Sequence, residues 1–290
     1  MVKNKIGFNV LVWSAVMSED LFPIVDRLKN IGYDGVECFI GEEDTPAYKR
    51  FGDYTRSLDL GVTAVMVGTK EENPIDKSAI VRKKAIDRIR RAIDKAHDMN
   101  ASIICGPFHS AHSSFSHMPP QEEEYAWGAE VLYVAGNYAA EANITLALEA
   151  LNRFECYLCN TMEHLSKLIN MADHPNVRAM YDTHHANIEE KKIPQSIYTI
   201  APVLAHVHIS ENDRGTPGDG HVRWDETFST LAEINYDGWL TIEAFSRNDP
   251  AFANSIGVWR DYSEPWAIAE QGYKFIKEML DKYENKSPIL

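Results

Sequence analysis

Short apolar runs rich in β-branched residues alternate eight times with longer amphipathic stretches, and this alternation limits the possible folds more than any other feature of the chain. The strand candidates are 6–11, 35–40, 62–67, 102–106, 145–149, 177–182, 205–209 and 240–243. Helical patterns follow them at about 18–31, 45–59, 77–99, 120–142, 161–173, 192–202, 225–235 and 264–283. With 290 residues in all, each strand–helix unit takes about 36, the size of a βα repeat. A strand followed by a helix and another strand reads as a parallel crossover, so eight repeats predict one α/β domain over 1–290, a single (β/α)8 TIM barrel. A polar tail is expected from about residue 284. A doubly wound open sheet shares the alternation, but no GxGxxG follows the first strand.

Two turns echo each other. Ile31-Gly32-Tyr33-Asp34-Gly35 and Ile234-Asn235-Tyr236-Asp237-Gly238 each follow a helix and precede a strand, and both read as Gly-terminated helix ends re-entering the barrel floor. With 44% hydrophobic residues the chain can fill a core of this size. Its 43 acidic and 29 basic residues leave a net charge of −14, a field that repels phosphodiester backbones and anionic lipid, so neither nucleic acid nor a membrane is an expected partner. The sequence contains no apolar run near the roughly 20 residues that span a bilayer. The start, Met1 to Lys5, leads into the first strand without a signal-peptide cleavage site. Four cysteines make no disulfide scaffold, and the Cys156/Cys159 pair has no second pair to complete a zinc site. The expected location is cytoplasmic.

In a barrel of this kind chemistry gathers at the carboxyl ends of the strands. Reading those ends gives Glu149 after Leu146-Ala147-Leu148, Asp182 after Ala179-Met180-Tyr181, His208 after His206-Val207, and Glu243 after Leu240-Thr241-Ile242. They close strands five to eight, which are neighbours in the ring. Period-two alternation puts Thr145, Ala147 and Glu149 on one face and Thr241 and Glu243 on another, with the leucines and isoleucine turned toward the helices. Three carboxylates and an imidazole converging on the barrel mouth call for a cation. Oxygen-rich donors favour Mn²⁺, then Mg²⁺ or Co²⁺, with Zn²⁺ ranked below them.

Around these positions the chain resembles the D-tagatose 3-epimerase (D-psicose or L-ribulose 3-epimerase) family, within the xylose-isomerase-like barrel superfamily. The similar segments are Leu148-Glu149-Ala150-Leu151-Asn152-Arg153-Phe154-Glu155, Tyr181-Asp182-Thr183-His184-His185-Ala186-Asn187-Ile188-Glu189-Glu190 and His206-Val207-His208-Ile209-Ser210-Glu211-Asn212-Asp213-Arg214. Pro217-Gly218-Asp219-Gly220, Trp224-Asp225, Ile242-Glu243-Ala244-Phe245 and Val258-Trp259-Arg260-Asp261 extend the likeness across 146–261. The resemblance implies that Glu149, Asp182, His208 and Glu243 bind one divalent cation. It also implies that Glu155, His185 and Arg214 hold the O1–O3 end of a sugar, that Trp13 and Met66 line the pocket, and that the enzyme is a homodimer or homotetramer. The chain departs from the pattern at Met66, where a smaller residue is frequent. It also departs at 106–112, which lack a tryptophan, and at Gly215-Thr216, where Leu-Pro is frequent.

The chemistry so implied is proton transfer beside a ketone. A cation holding the C2 and C3 oxygens would stabilise a cis-enediolate, while Glu149 and Glu243 act as base and acid on opposite faces of C3. The substrate expected is a free keto sugar of the D-tagatose, D-psicose/D-fructose or L-ribulose type, and the enzyme an isomerase. Other readings keep the metal and change the outcome: a sugar or inosose isomerase, a dehydratase, or a 3-keto-glycoside lyase. An apurinic-site endonuclease of the same superfamily would need a basic groove that the charge does not favour, and a silent sugar-binding protein would leave the C3 hydrogen in place. His184 is expected in a capping or neighbouring role, and His206 in the core or behind a ligand. His109, His112 and His117 receive no role, and Trp224, Trp239, Trp259 and Trp266 read as packing.

Overall fold

The computed structural model describes residues 4–42 and 44–284. Eight parallel strands close into a barrel in sequence order: β1 (Lys5–Asn9), β2 (Gly35–Phe39), β3 (Gly61–Val65), β4 (Ala101–Gly106), β5 (Thr145–Leu148), β6 (Val177–Asp182), β7 (Leu204–Ile209) and β8 (Trp239–Ile242). Closure is made by β1 on β8, with Ile6 opposite Leu240 and Phe8 opposite Ile242. The outer ring holds α1 (Phe22–Ile31), α2 (Thr45–Ser57), α3 (Ala79–Asp98), α4 (Glu122–Glu141), α5 (Met162–Ala172), α7 (Ile193–Ile200), α8 (Trp224–Glu233) and α10 (Pro265–Glu284). Two short helices, α6 (Thr183–Glu189) and α9 (Pro250–Ser255), sit in the loops above β6 and β8 and were not anticipated. Glu284 ends α10, and the rest of the expected polar tail lies outside the described residues.

Strands β4, β6 and β7 end where expected, and β1, β2, β3, β5 and β8 stop one or two residues early. β1 ends at Asn9, whose side chain accepts a hydrogen bond from Leu11 N–H and caps a 3₁₀ turn over Val10–Val12. Gly32 takes a left-handed backbone (φ 119°) and its N–H bonds back to Leu28 and Lys29, so the first echo turn is glycine-capped as expected. In the second, Asn235 carries the positive φ (54°), the other residue type that tolerates it.

Two apolar regions build the barrel. The large core lies between strands and helices. A smaller interior cluster of Val65, Ile103, Cys105, Ala147, Met180 and Trp239 fills the barrel itself. Trp239 plugs the floor, and glycine is required opposite it: a Cβ on Gly35 or Gly61 would come within 2.5 Å or 2.8 Å of the indole. The barrel interior is therefore a packed core.

Candidate metal centre

One ligand atom each from Glu149, Asp182, His208 and Glu243 falls within a 4.8 Å cluster, and all four residues are buried. Strand geometry explains each. Glu149 N–H continues the ladder to Gly106 O (3.1 Å) and Glu243 N–H to Ile209 O (3.2 Å), so both glutamates keep the inward phase one residue past their strands. Asp182 caps α6: its Oδ1 accepts from His184 N–H (2.6 Å) and His185 N–H (3.1 Å), which turns Oδ2 toward the cluster. Thr183 Oγ1 joins the ends of β6 and β7 through Ser210, donating to its carbonyl (2.7 Å) and accepting from its N–H (2.8 Å).

His208 Nδ1 lies 3.4 Å from Glu243 Oε2 and 3.6 Å from Asp182 Oδ2, while its Nε2 points down to Glu37 Oε1 at 2.7 Å. Neither His208 Nδ1 nor Glu149 Oε1 has a hydrogen-bond partner, though both are buried. Buried polar atoms are ordinarily paired. Two unpartnered buried atoms, an imidazole nitrogen and a carboxylate oxygen, facing the same cluster fit a divalent cation, with three oxygens and one nitrogen as its protein ligands.

The electrostatics agree. Burial, then the charges of Glu243 and Asp182, push the Glu149 carboxyl well above the usual range. Burial would raise Asp182 too, but Arg214, His185 and His208 hold it well below. For His208 burial works against protonation, yet Glu243, Glu37 and Asp182 together push it well above its ordinary value. The cluster attracts positive charge strongly.

Arg214 supplies one such charge. Its Nη1 donates to Glu243 Oε2 (2.7 Å), Ser210 Oγ (2.7 Å) and Asp182 Oδ2 (3.1 Å), and Nη2 lies 2.8 Å from His185 Nε2. The backbone at Arg214 is left-handed (φ 64°), held by its N–H to Glu211 O and its carbonyl to Phe245 N–H. Glu211 organises the whole loop, accepting from the backbone N–H groups of Gly218 and Val222 and from Trp224 Nε1. His185 is fixed from behind, its Nδ1 accepting from Asn152 N–H (3.0 Å), and burial with Arg214 lowers it to about 3. Glu155 accepts from Asn152 Nδ2 (2.7 Å) and lies 3.3 Å from His112 Nε2. Burial would raise its pKa, but His112, His185, Arg214 and Asn152 bring it below the carboxylate range.

A cleft of about 490 Å³ opens over the cluster. Its lining is mixed: His112, Glu155, His184, His185, Arg214 and Arg88 are polar, and Leu11, Phe39, Val65, Val67, Phe252 and Val258 are apolar. The structure thus brings together Glu149, Glu243, Glu155, His185 and Arg214 around one space. Trp13 and Met66, expected in the pocket, do not line it. Met66 has the opposite strand parity to Val65 and Val67 and is buried among core residues outside the barrel. Trp13 packs on Trp266 (4.6 Å) and Phe8 (5.2 Å). His184 bonds to Glu211 O (3.1 Å) and also faces the cleft. His109 reaches Glu149 O (2.8 Å), and His117 has no place at the site. Trp224, Trp239 and Trp266 pack, but Trp259 is 71% exposed.

Two residues were missed. Glu37 is wholly buried beneath His208, and Glu211 holds the Arg214 loop. An acidic residue at an inward-facing position of an otherwise apolar strand (Gly35-Val36-Glu37-Cys38-Phe39) is the signal that could have found the first.

A closed parallel barrel with its charged donors at the carboxyl ends of β5–β8 defines the class, and the chain belongs to the xylose isomerase-like TIM barrel family, whose model matches residues 25–279. An L-ribulose 3-epimerase from Methylomonas sp. (strain DH-1) is 31% identical over 276 residues, covering 94% of this chain and 96% of that protein. A probable ketose 3-epimerase from Synechocystis sp. is 27% identical over 287 residues, 95% and 96% of the two chains. The crystal structure of D-allulose 3-epimerase from Methylomonas sp. in complex with D-allulose superposes with a TM-score of 0.89 at 26% identity, covering 96% of this chain and 98% of that one. These relatives are isomerase-class enzymes, and the chain falls in the same class.

Proposed function

We propose that this chain is a divalent-cation-dependent ketose 3-epimerase acting on a free keto sugar of the D-allulose or L-ribulose kind. One observation carries the reading: Glu149 and Glu243, each a candidate ligand, flank the space that also receives Glu155, His185 and Arg214. The relatives named for L-ribulose and D-allulose epimerisation support it, as does their near-complete coverage of the chain.

Glu149, Asp182, His208 and Glu243 would hold the cation, with Mn²⁺ first and Mg²⁺ or Co²⁺ next. When bound, it supplies Lewis-acid stabilisation for charge developing on the sugar's C2 and C3 oxygens. The residues do the rest. One of Glu149 and Glu243 takes the C3 proton, and the C–H electron pair becomes the C2–C3 double bond of an enediolate. The other, holding a proton, delivers it to the opposite face of C3, and the configuration inverts. Arg214 would donate to sugar oxygens, Glu155 would accept from a hydroxyl, and His185, neutral and fixed through Nδ1, would present Nε2.

The same reading takes the chain as one barrel domain, cytoplasmic and a homodimer or homotetramer. The four cysteines, all free and buried, are compatible with a reducing compartment. Among the described residues no helix is long and apolar enough to cross a membrane.

Proton NMR in D₂O with Mn²⁺-loaded enzyme, then removal of the metal before acquisition, tests the elementary step on D-allulose and L-ribulose. Loss of the C3 proton signal with appearance of the C3 epimer is expected. Elimination products, or an aldose without the C3 epimer, would overturn the epimerase reading. Binding without exchange would point to a silent sugar binder.

A further inference from the structure

Beneath the candidate centre lies a second layer of polar groups that the proposed reaction does not use. Glu37, on β2, has no solvent exposure, and both of its oxygens are occupied. Oε1 accepts from Asn9 Nδ2 (3.1 Å) and His208 Nε2 (2.7 Å). Oε2 accepts from Thr63 Oγ1 (2.8 Å) and Cys105 Sγ (3.1 Å), and His206 Nε2 stands 2.9 Å away. Five groups from four strands, β1, β3, β4 and β7, converge on one carboxylate. Neighbouring interior positions are apolar, among them Val65, Ala147 and Met180, so the barrel has no general need of charge there. A buried carboxylate is costly unless its interactions repay desolvation, and an apolar residue of similar size would pack without that cost.

We infer that Glu37 is the positioning residue for His208, fixing its tautomer and ring plane so that Nδ1 offers a lone pair to the divalent cation. The inference rests on the metal-centre reading above and adds to it the source of the imidazole's orientation. A carboxylate can only accept, so Nε2 must carry the proton and Nδ1 is left free toward Asp182 and Glu243. The negative partner behind the ring also makes Nδ1 a stronger donor to a cation, as carboxylate–imidazole pairs do at metal sites generally. Thr63, Asn9 and Cys105 hold the carboxylate in turn, which puts the ligand's aim under the control of β1, β3 and β4, strands that supply no ligand themselves.

The test is Mn²⁺ affinity of the purified full chain by isothermal titration calorimetry, wild type against Glu37→Gln, with thermal melts of both in chelator. Gln keeps the volume and removes the charge. The variant is expected to bind Mn²⁺ about 10–100-fold more weakly, with KM for the sugar unchanged at saturating metal. A residue with only a structural role would lower the melting point and leave the affinity alone. Mn²⁺ affinity within about threefold of wild type removes the role of Glu37 and leaves the metal centre standing. A wild type that binds no Mn²⁺ removes the centre and this inference with it. Should Glu37→Gln fail to fold, ¹⁵N NMR of the Mg²⁺-loaded wild type decides instead. A His208 ring protonated at Nε2 supports the assignment, and one protonated at Nδ1 overturns it.

Discussion

Replacing Arg214 by Met should destabilise the metal-free protein far more than the metal-loaded one. In the structure Arg214 Nη1 bridges Glu243 Oε2 and Asp182 Oδ2, at 2.7 and 3.1 Å, and its side chain is 11% exposed against 7% and 0% for the two carboxylates. Removing one partner from a buried ion pair costs about 3–5 kcal/mol, because the remaining charge is stranded. Water reaches the edge of the guanidinium, so the lower end applies, about 3 kcal/mol. For a domain of this size that corresponds to a melting midpoint lower by about 6–12 °C. A divalent cation neutralises the same carboxylates, so saturating Mn²⁺ should close much of the gap. Arg214→Lys, which restores the charge but not the planar fork, should fall between. Differential scanning calorimetry in EDTA and in Mn²⁺ reads all three proteins. A variant melting within about 2 °C of wild type in EDTA would refute the reasoning, and so would a gap of equal size with and without Mn²⁺.

Glu149→Gln and Glu243→Gln should each keep the circular dichroism spectrum and lose about 10²–10⁴ in turnover, the range of a single acid or base; near-normal C3 exchange in either would end the two-base scheme. Gly35→Ala should cost about 1–3 kcal/mol, since its methyl would sit 2.5 Å from both the Gly61 carbonyl oxygen and the Trp239 ring. A lower urea midpoint at unchanged slope is the expected readout, and an unmoved midpoint would mean that the floor is slack. Tyr33 has a raised pKa, from burial first and the nearby Tyr273 second, and its hydroxyl donates to Ala269 O at 2.7 Å. A raised folded-state pKa gives stability that is complete below the unfolded value of about 10 and is lost as pH rises beyond it, by about 1.4 kcal/mol per unit. Tyr33→Phe should flatten the fall in denaturant midpoint between about pH 10 and 11.5, and an identical slope would show that the phenol plays no part.

The alternation of short β-branched runs with amphipathic stretches carried the barrel because parallel strands covered by helices leave a strong imprint in sequence. Closure was not in that signal; it resides in the β1–β8 pairing, which is non-local. The four candidate ligands were legible because each ends a strand with the correct parity, and Asp182 and His208 also sit in polar runs. Parity is what failed for Met66: the resemblance assigned it to the pocket, while alternation from Val65 to Val67 turns it away. Helices α6 and α9 escaped notice because they are one or two turns long and are set by the Asp182 and Asp249 caps, too short for a periodic pattern. Glu37 was hidden for a different reason: its significance depends on His208, Thr63 and Cys105, and no local window contains them.

The placement of the donors also has a mechanical consequence. Adjacent strands in a sheet lie about 4.7–4.9 Å apart, and inward side chains from neighbouring strands converge further, so donors from four consecutive strand ends fall within 4.8 Å without strained loops. A cation held there would take its coordination from the ends of the barrel strands, above the Glu37 layer. The apolar lining residues come from elsewhere, the mouth ends of β1–β3 and the segment around α9, with Leu11, Val67, Phe252 and Val258 all beyond regular strand structure. The candidate ligands and the apolar lining thus come from separate parts of the ring. If the chain is the epimerase proposed, substitution at Val67 or Phe252 should change which ketose fits while Glu149, Asp182, His208 and Glu243 keep their spacing.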